Sequence, residues 1–407
     1  MKRIEHCIVI LPTWLKAQAK KILNCLKNSI LVILSANRCY RILCKKNQIF
    51  TNNDPKLAYY YPDNGREANI YGITDEVVSA DLSIIIPAYN VSGYITDCLN
   101  SILSQQTKYS FDIIVVDDGS VDGTWEKIQK HYTDERIRLF RQKNSGQSVA
   151  RNFAISNSCG KYIMMLDGDD ILLPGAIDKL MNAALENDAD IAEGNCVRFY
   201  DKITDEMICD SKTKFHISSN SVDPKFVLTC VGYSVAKVYR RDLWQNVRYP
   251  EGYIFEDVIS KFVLRRIANK VVFIGDAVYG YRWNNMSSSH SSDSLKKLDS
   301  IWVLPRIIEI CRLSGAPMDD TFYLLCLNHI GLLNRITTKD KSDDIQLACF
   351  SEMRKQLESV IQYRPKRLPY WFMLLEKAIM SNHFDAWAEI ADTIQKYGLL
   401  KKWREIN

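Results

Sequence analysis

Asp167-Gly168-Asp169-Asp170 sets three carboxylates within four residues, directly after the apolar run Lys161-Tyr162-Ile163-Met164-Met165-Leu166. Like charges so close repel one another, and burying them unpaired is costly. A divalent cation relieves that repulsion, and carboxylate oxygens suit hard ions such as Mg2+ or Mn2+. Mg2+ is commonly held by one or two carboxylates while substrate phosphates complete its shell. The same tetrapeptide also reads as an exposed acidic turn. Asp117-Asp118-Gly119-Ser120 ends a second apolar run, where Ser120 or Asp118 can cap the helix that follows. Glu256-Asp257, between Phe255 and Val258, stands where a helical stretch begins. There, acids are favoured by the helix dipole alone.

These motifs need a frame that brings them together. Leu82–Ile86 and Phe111–Val116 are short apolar runs rich in β-branched residues, ended by Pro87 and by the Asp117 turn. Ile137–Phe140 and Lys161–Leu166 are two more, and helical patterns fill 94–105, 123–132 and 146–158 between them. Nearly continuous apolar strands alternating with helices predict an α/β fold with a buried, mainly parallel sheet. Polar residues just past the strand C-termini are where such sheets bind ligands.

Taken in order, the motifs resemble the inverting nucleotide-sugar glycosyltransferases of family 2, which have the GT-A fold. The matching residues are Ile86-Pro87-Ala88-Tyr89-Asn90, Val115-Val116-Asp117-Asp118-Gly119-Ser120, Asn144-Ser145-Gly146 with Ala150-Arg151-Asn152, the run from Gly160 to Asp170, and Ala236–Arg241 leading to Phe255-Glu256-Asp257. The resemblance covers roughly residues 81–290, about half of the chain. It implies that Pro87, Tyr89 and Asn90 lie beside the nucleoside and that Asp118 bonds the base. It places Arg151 near the nucleotide pocket, Asp167 on the ribose, and Asp169 on the metal that bridges the diphosphate. Asp257 matches the catalytic base, with Glu256 as its neighbour and second candidate. Chemically, a metal on the diphosphate stabilises the departing charge. A carboxylate takes the proton of a weakly nucleophilic acceptor hydroxyl. Attack from the opposite face then inverts the anomeric centre, as in inverting glycosidases. Tyr281-Arg282-Trp283 with Ser287–His290 resembles a later family loop over the diphosphate, in which Arg282, Ser289 or His290 contribute charge or hydrogen bonds; it also reads as a serine-rich surface loop.

One departure matters. Processive relatives carry Gln-x-x-Arg-Trp and membrane spans, whereas Tyr279 stands where that glutamine is expected. No apolar stretch approaches the roughly 18–20 residues that a span needs. Single-sugar transfer is the expectation. Two rivals fit worse. Asp118–Thr124 lacks the second aspartate of a phosphatase motif, because Ser120 occupies it. A nucleotidyltransferase wants a glycine-rich basic loop where residues 87–93 read Pro-Ala-Tyr-Asn-Val-Ser-Gly. A non-catalytic nucleotide-binding module of a polysaccharide-assembly complex is the alternative, opposed by the presence of Asp169 and Asp257.

The chain has 407 residues, 47% hydrophobic and 25% charged, an ordinary globular balance. Its net charge of +5 is uneven: residues 1–50 hold ten Lys or Arg against Glu5, a net of +9, so the rest sums to −4. The body is therefore not a polyanion binder by charge, nucleic acid included, whereas the N-terminal segment could be one. Residues 13–34 read as an amphipathic helix, either packed on the protein or attached to an anionic membrane surface. The twelve cysteines show no zinc spacing and read as free thiols in a reducing cytoplasm. Three parts are expected: a basic helical segment and linker (1–80), a GT-A domain (81–290) and a helical domain (291–407). The C-terminal helices read as acceptor-binding, homo-oligomerising or covering, and Tyr363 and Tyr370-Trp371-Phe372 as sugar-stacking or packing residues. The expected setting is cytoplasmic, at the inner face of the membrane, in surface polysaccharide assembly. The expected donor is a UDP-sugar, with GDP or dTDP donors open, and the expected acceptor a saccharide or lipid-linked saccharide.

Overall fold

The computed structural model describes residues 78–131, 133–204, 206–208, 217–219, 232–283 and 296–397. The basic helix over 13–34, Ser289 and His290 lie outside them. Two compact units divide the described residues, 78–322 and 323–397.

The first unit is built on one sheet. β1 (Ala80–Ala88), β2 (Phe111–Asp117), β3 (Ile137–Arg141) and β4 (Gly160–Met165) pair in parallel, in the order β3-β2-β1-β4. Each is an apolar run of the kind that parallel strands covered on both faces require. Leu82, Ile84–Ile86 and Ile113–Val115 are fully buried. Ser83 is a polar exception with a purpose: its hydroxyl donates to Asp112 at 2.6 Å and accepts the Gly160 N–H at 2.8 Å. A Cβ on Gly160 would collide with the β1 backbone, so glycine is required where β4 starts. α1 (Ile95–Leu103), α2 (Thr124–His131) and α3 (Gln147–Ser156) connect these strands.

Beyond β4 the sheet becomes mixed. β5 (Ile171–Leu172), α4 (Ala176–Glu186), β6 (Ile191–Phe199), β7 (Ile217–Ser219), β8 (Lys237–Arg240) and β9 (Val271–Arg282) follow. β8 enters antiparallel between β4 and β6, and β5 and β7 join β9 antiparallel, while β6 and β9 are parallel. The parallel character read from the sequence thus belongs to β1–β4 and to the β6–β9 pair. β8 resisted reading because it is four residues long with a charged residue at each end. α5 (Asp299–Ser314) completes this unit.

The second unit is helical. α6 (Asp320–Asn328) continues through a π turn (His329–Leu333) and Asn334–Thr338, followed by α7 (Asp343–Ser359), α8 (Tyr370–Met380) and α9 (Phe384–Lys396). Trp387 is its centre: buried, 5.2 Å from the Phe350 ring, with its indole N–H donating to the Gly331 carbonyl at 3.0 Å. Arg364 forks onto Glu376 at 2.7 and 2.9 Å. Of the aromatic run, Phe372 is buried and packs, whereas Tyr370 is exposed. Among the described residues no helix is long and apolar enough to cross a membrane.

Candidate active site

The C-terminal ends of β1, β2 and β4 meet along one edge. After β1 the chain turns at Asn90, whose φ of 52° is left-handed. That turn is zipped onto the loop after β2. The Asn90 N–H donates to the Ser120 hydroxyl, the Val121 N–H to the Asn90 side-chain oxygen, and the Val91 N–H to Thr124, each at 3.0 Å. Pro87 is half-buried on β1 and Tyr89 is 47% exposed on this edge.

Asp118 is buried, and its carboxylate is engaged by a third loop. It accepts from Gln142 Nε2 at 2.7 Å and from the Ser145 and Gly146 N–H groups at 2.8 Å. Gly119, at φ 75°, runs so close to this loop that a Cβ there would stand 2.8 Å from the Asn144 nitrogen, so a side chain has no room. Asp117, which sequence reasoning passed over, is fully buried. One oxygen faces Arg141 Nε at 3.2 Å and the other, Oδ1, is buried without a hydrogen-bond partner among the described residues. A doubled acidic position at a strand end was the signal available.

Past β4 the three aspartates separate into different roles. Asp170 is buried and accepts from the Tyr279 hydroxyl and from the Arg282 N–H, both at 2.7 Å. Burial, then the charges of Asp169 and Asp167, push its carboxyl well above the usual range. Asp167 gives one oxygen to Arg151 at 2.6 Å, and its N–H donates to the Tyr279 hydroxyl at 3.2 Å. Asp169 is half-buried, and its carbonyl accepts from Arg282 Nε at 2.9 Å. Arg282 itself is buried over the Phe199 and Tyr94 rings, 4.7 and 5.2 Å from their centres, and pairs with Asp97 at 2.9 Å. Tyr279, the departure from the processive pattern, therefore holds the acidic turn. Its role was invisible in sequence because its partners are more than a hundred residues away.

Arg151, on α3, is buried and joins two of the acidic motifs. One terminal nitrogen meets Asp167 at 2.6 Å and the other meets Glu256 at 2.5 Å. Its neighbour Asn152 accepts the Tyr249 N–H at 2.8 Å and donates to Glu251 at 3.0 Å. α3 thus anchors the segment leading to Glu256-Asp257 at two points. That segment enters a 3-10 turn (Glu256–Val258) through Phe255, at φ 68°. Asp257 is half-buried. Desolvation, then the adjacent Glu256 charge, push its carboxyl up to about 7, against the opposing pull of Arg151. A carboxyl there is poised to take a proton near neutral pH.

A divalent ion fits this donor set in one way. Among the described residues no group of three or more His, Cys, Asp or Glu could hold a metal. Asp170 is committed to Tyr279 and Arg282, and Asp167 keeps one oxygen outside its bond to Arg151. Asp169, with Asp167 beside it, could supply the one or two carboxylates that Mg2+ takes when substrate phosphates complete its shell.

Residues 83–247 match the model of a family described as Glycosyl transferase family 2. Glycosyltransferase GlyG of Streptococcus pneumoniae serotype 4 is 30% identical over 246 residues, 58% of this chain and 81% of that protein. Glycosyltransferase GlyA of the same organism is 30% identical over 219 residues, 51% of this chain but 31% of its own length. Among solved structures, S. aureus TarS 1–349 in complex with UDP-GlcNAc superposes with a TM-score of 0.59 at 20% identity, over 78% of this chain and 92% of that one. At that identity the likeness establishes the GT-A fold.

Removing Arg151 leaves two carboxylates without their cation, one of them buried. Arg151→Met should cost about 3–5 kcal/mol in chemical denaturation. Arg151→Lys, with a single ammonium in place of the fork, should recover part of it. A loss below about 1 kcal/mol, the level of an exposed ion pair, contradicts this assignment.

Proposed function

The chain belongs to glycosyl transferase family 2, and on that premise we propose an inverting transfer from a nucleotide-diphosphate sugar, a UDP-sugar in our reading. The acceptor is a carbohydrate or lipid-linked saccharide in surface polysaccharide assembly. The observation that carries the reading is the juxtaposition made by Arg151: the acidic turn after β4 and the Glu256-Asp257 turn share one guanidinium. The carboxylates read as donor-binding and as proton-accepting are thereby neighbours. That TarS was solved with UDP-GlcNAc supports the choice of donor.

In this reading Pro87, Tyr89 and Asn90 flank the nucleoside. Asp118 lies at the base, held in place by Gln142, Ser145 and Gly146. Asp167 takes the ribose, and Asp169, with Asp167 beside it, holds Mg2+ or Mn2+. When bound, that ion neutralises charge on the departing diphosphate. Arg282 fixes the backbone of the same turn through the Asp169 carbonyl. Asp257 accepts the proton of the acceptor hydroxyl as the new bond forms, and Glu256 stays paired with Arg151. Attack from the face opposite the leaving group inverts the anomeric centre. Residues 1–50 attach the protein to the membrane surface in this reading, and the helices after 291 serve acceptor binding or self-association.

The experiment is thermal unfolding with UDP, GDP, dTDP and ADP, each with and without Mn2+, on the wild type and Asp169→Ala. A ligand that binds the folded state alone raises its stability. A metal-dependent rise with UDP, absent in Asp169→Ala, is expected; no rise with any nucleotide overturns the donor site. Turnover then separates the two acids. Asp257→Asn should slow donor consumption by about 10²–10⁴-fold, the range for a lost general base. Glu256→Gln, which keeps an oxygen for Arg151, should lose less. The reverse order would transfer the role of base to Glu256.

A further inference from the structure

A bulge at Glu193–Asn195 divides β6 into two halves. Residues 191–194 are buried, and a Cβ on Gly194 would press on Val278. Beyond the bulge, Cys196, Arg198 and Tyr200 alternate outward while Val197 and Phe199 stay buried. Re-aiming side chains beside a site is what bulges do. In the parallel register with β9, Cys196 stands beside Tyr279 and Arg198 beside Tyr281. The Trp283 N–H, bonding the Phe199 carbonyl at 2.7 Å, carries the pairing one step further. The face that holds the acidic turn through Tyr279 therefore continues outward into a group of aromatic residues, half-buried at Tyr281 and Trp283 and exposed at Tyr200.

Arg198 lies at its centre. Its guanidinium is 4.7 Å from the Trp283 ring centre and 5.9 Å from that of Tyr281, and the Tyr200 ring is 6.3 Å from Trp283. Tyr233 is 54% exposed. Partial desolvation, then the charge of Asp257, pushes its hydroxyl up, while Arg198 pulls it down, so all three share one neighbourhood. Arg198 pairs with no carboxylate among the described residues, although Asp257, Glu256 and three further aspartates line the adjoining site. A guanidinium supported on rings and left without a carboxylate keeps its planar fork of donors for a carboxylate or phosphate.

We infer that this face is the acceptor subsite and that the acceptor is an anionic saccharide. The rings of Tyr233, Tyr200 and Trp283 receive sugar faces, and Arg198 forks onto an acidic group of the acceptor. Tyr233 joins the subsite to Asp257, the group read as taking the acceptor's proton. The inference rests on the glycosyl-transfer reading and adds the acceptor's charge to it.

The test is calorimetric titration of the full chain, with UDP and Mn2+ present, using an oligogalacturonate, a phosphorylated maltooligosaccharide and a neutral maltooligosaccharide. At least one acidic probe should bind about tenfold or more tightly than the neutral one, as for a charge-assisted hydrogen bond. The better acidic probe tells carboxylate from phosphate. The advantage should vanish in Arg198→Ala and shrink in about 0.5 M salt. Because Arg198 is exposed, that variant should melt with the wild type. Equal affinity for acidic and neutral probes, no binding of any probe, or a preference that survives Arg198→Ala overturns the inference. UDP-induced stabilisation is read in the same samples. Its absence sinks the donor reading, whereas its presence without an acidic preference sinks the acceptor inference alone.

Discussion

The Arg151 guanidinium, buried between Asp167 and Glu256, is the interaction on which the rest of the site depends. Five carboxylates converge here from two segments far apart in sequence: Asp167, Asp169 and Asp170 after β4, and Glu256 and Asp257 before the last strand. Left to themselves they repel, and burial makes the repulsion worse. One planar cation with two separate terminal nitrogens satisfies one carboxylate from each segment, which a lysine could not match in geometry. The remaining carboxyls are then differentiated. Asp170 is hydrogen-bonded by Tyr279 and Arg282, Asp169 is half-buried, and Asp257 feels Arg151 as a charge while Glu256 repels it. Different surroundings for identical side chains are how one site acquires distinct roles.

Backbone strain occurs at some of the same places. Of the five non-glycine residues in the left-handed region among the described residues, Asn90, Ala236 and Phe255 lie in the segments that carry the site motifs, whereas Asp188 and Asn382 lie in turns elsewhere. Such conformations cost about 1–3 kcal/mol each and persist where the surroundings enforce them. The surroundings are visible in two cases. Asn90 is held by Ser120 and Val121. The segment before Phe255 is tied to α3 by Asn152, and the Ile254 N–H to Asp299 at 2.9 Å. The loops are therefore fixed by the parallel half of the sheet and its helices, and not by their own sequences.

That distinction explains what could be read without coordinates. β1 to β4 and the helices between them were legible because buried parallel strands are written as continuous apolar runs. The acidic motifs were legible through their order and spacing along the chain, since each alone also reads as a turn, a cap or a helix start. What stayed hidden depends on pairing across long separations. Tyr279 looked like a mere departure from a motif, yet it bonds Asp170 and receives the Asp167 N–H. Asp117 was overshadowed by Asp118, although its Oδ1 is buried without a hydrogen-bond partner among the described residues. Arg198 sits in no recognisable motif, and its exposure follows from a bulge at Gly194 that no local pattern announces. Of the C-terminal aromatic residues, Phe372 is buried, whereas Tyr370 is exposed with its ring edge-on to Trp371.

The central claim is that this arrangement leaves Asp257 able to exchange a proton near neutrality. Infrared difference spectroscopy of the wild type against Asp257→Asn isolates that one carboxyl, without knowledge of donor or acceptor. A protonated carboxyl band that belongs to Asp257 and fades with a midpoint at about pH 7 is the expected result. A band already gone by about pH 5, as for an ordinary solvated carboxylate, would contradict the assignment of Asp257 as the base.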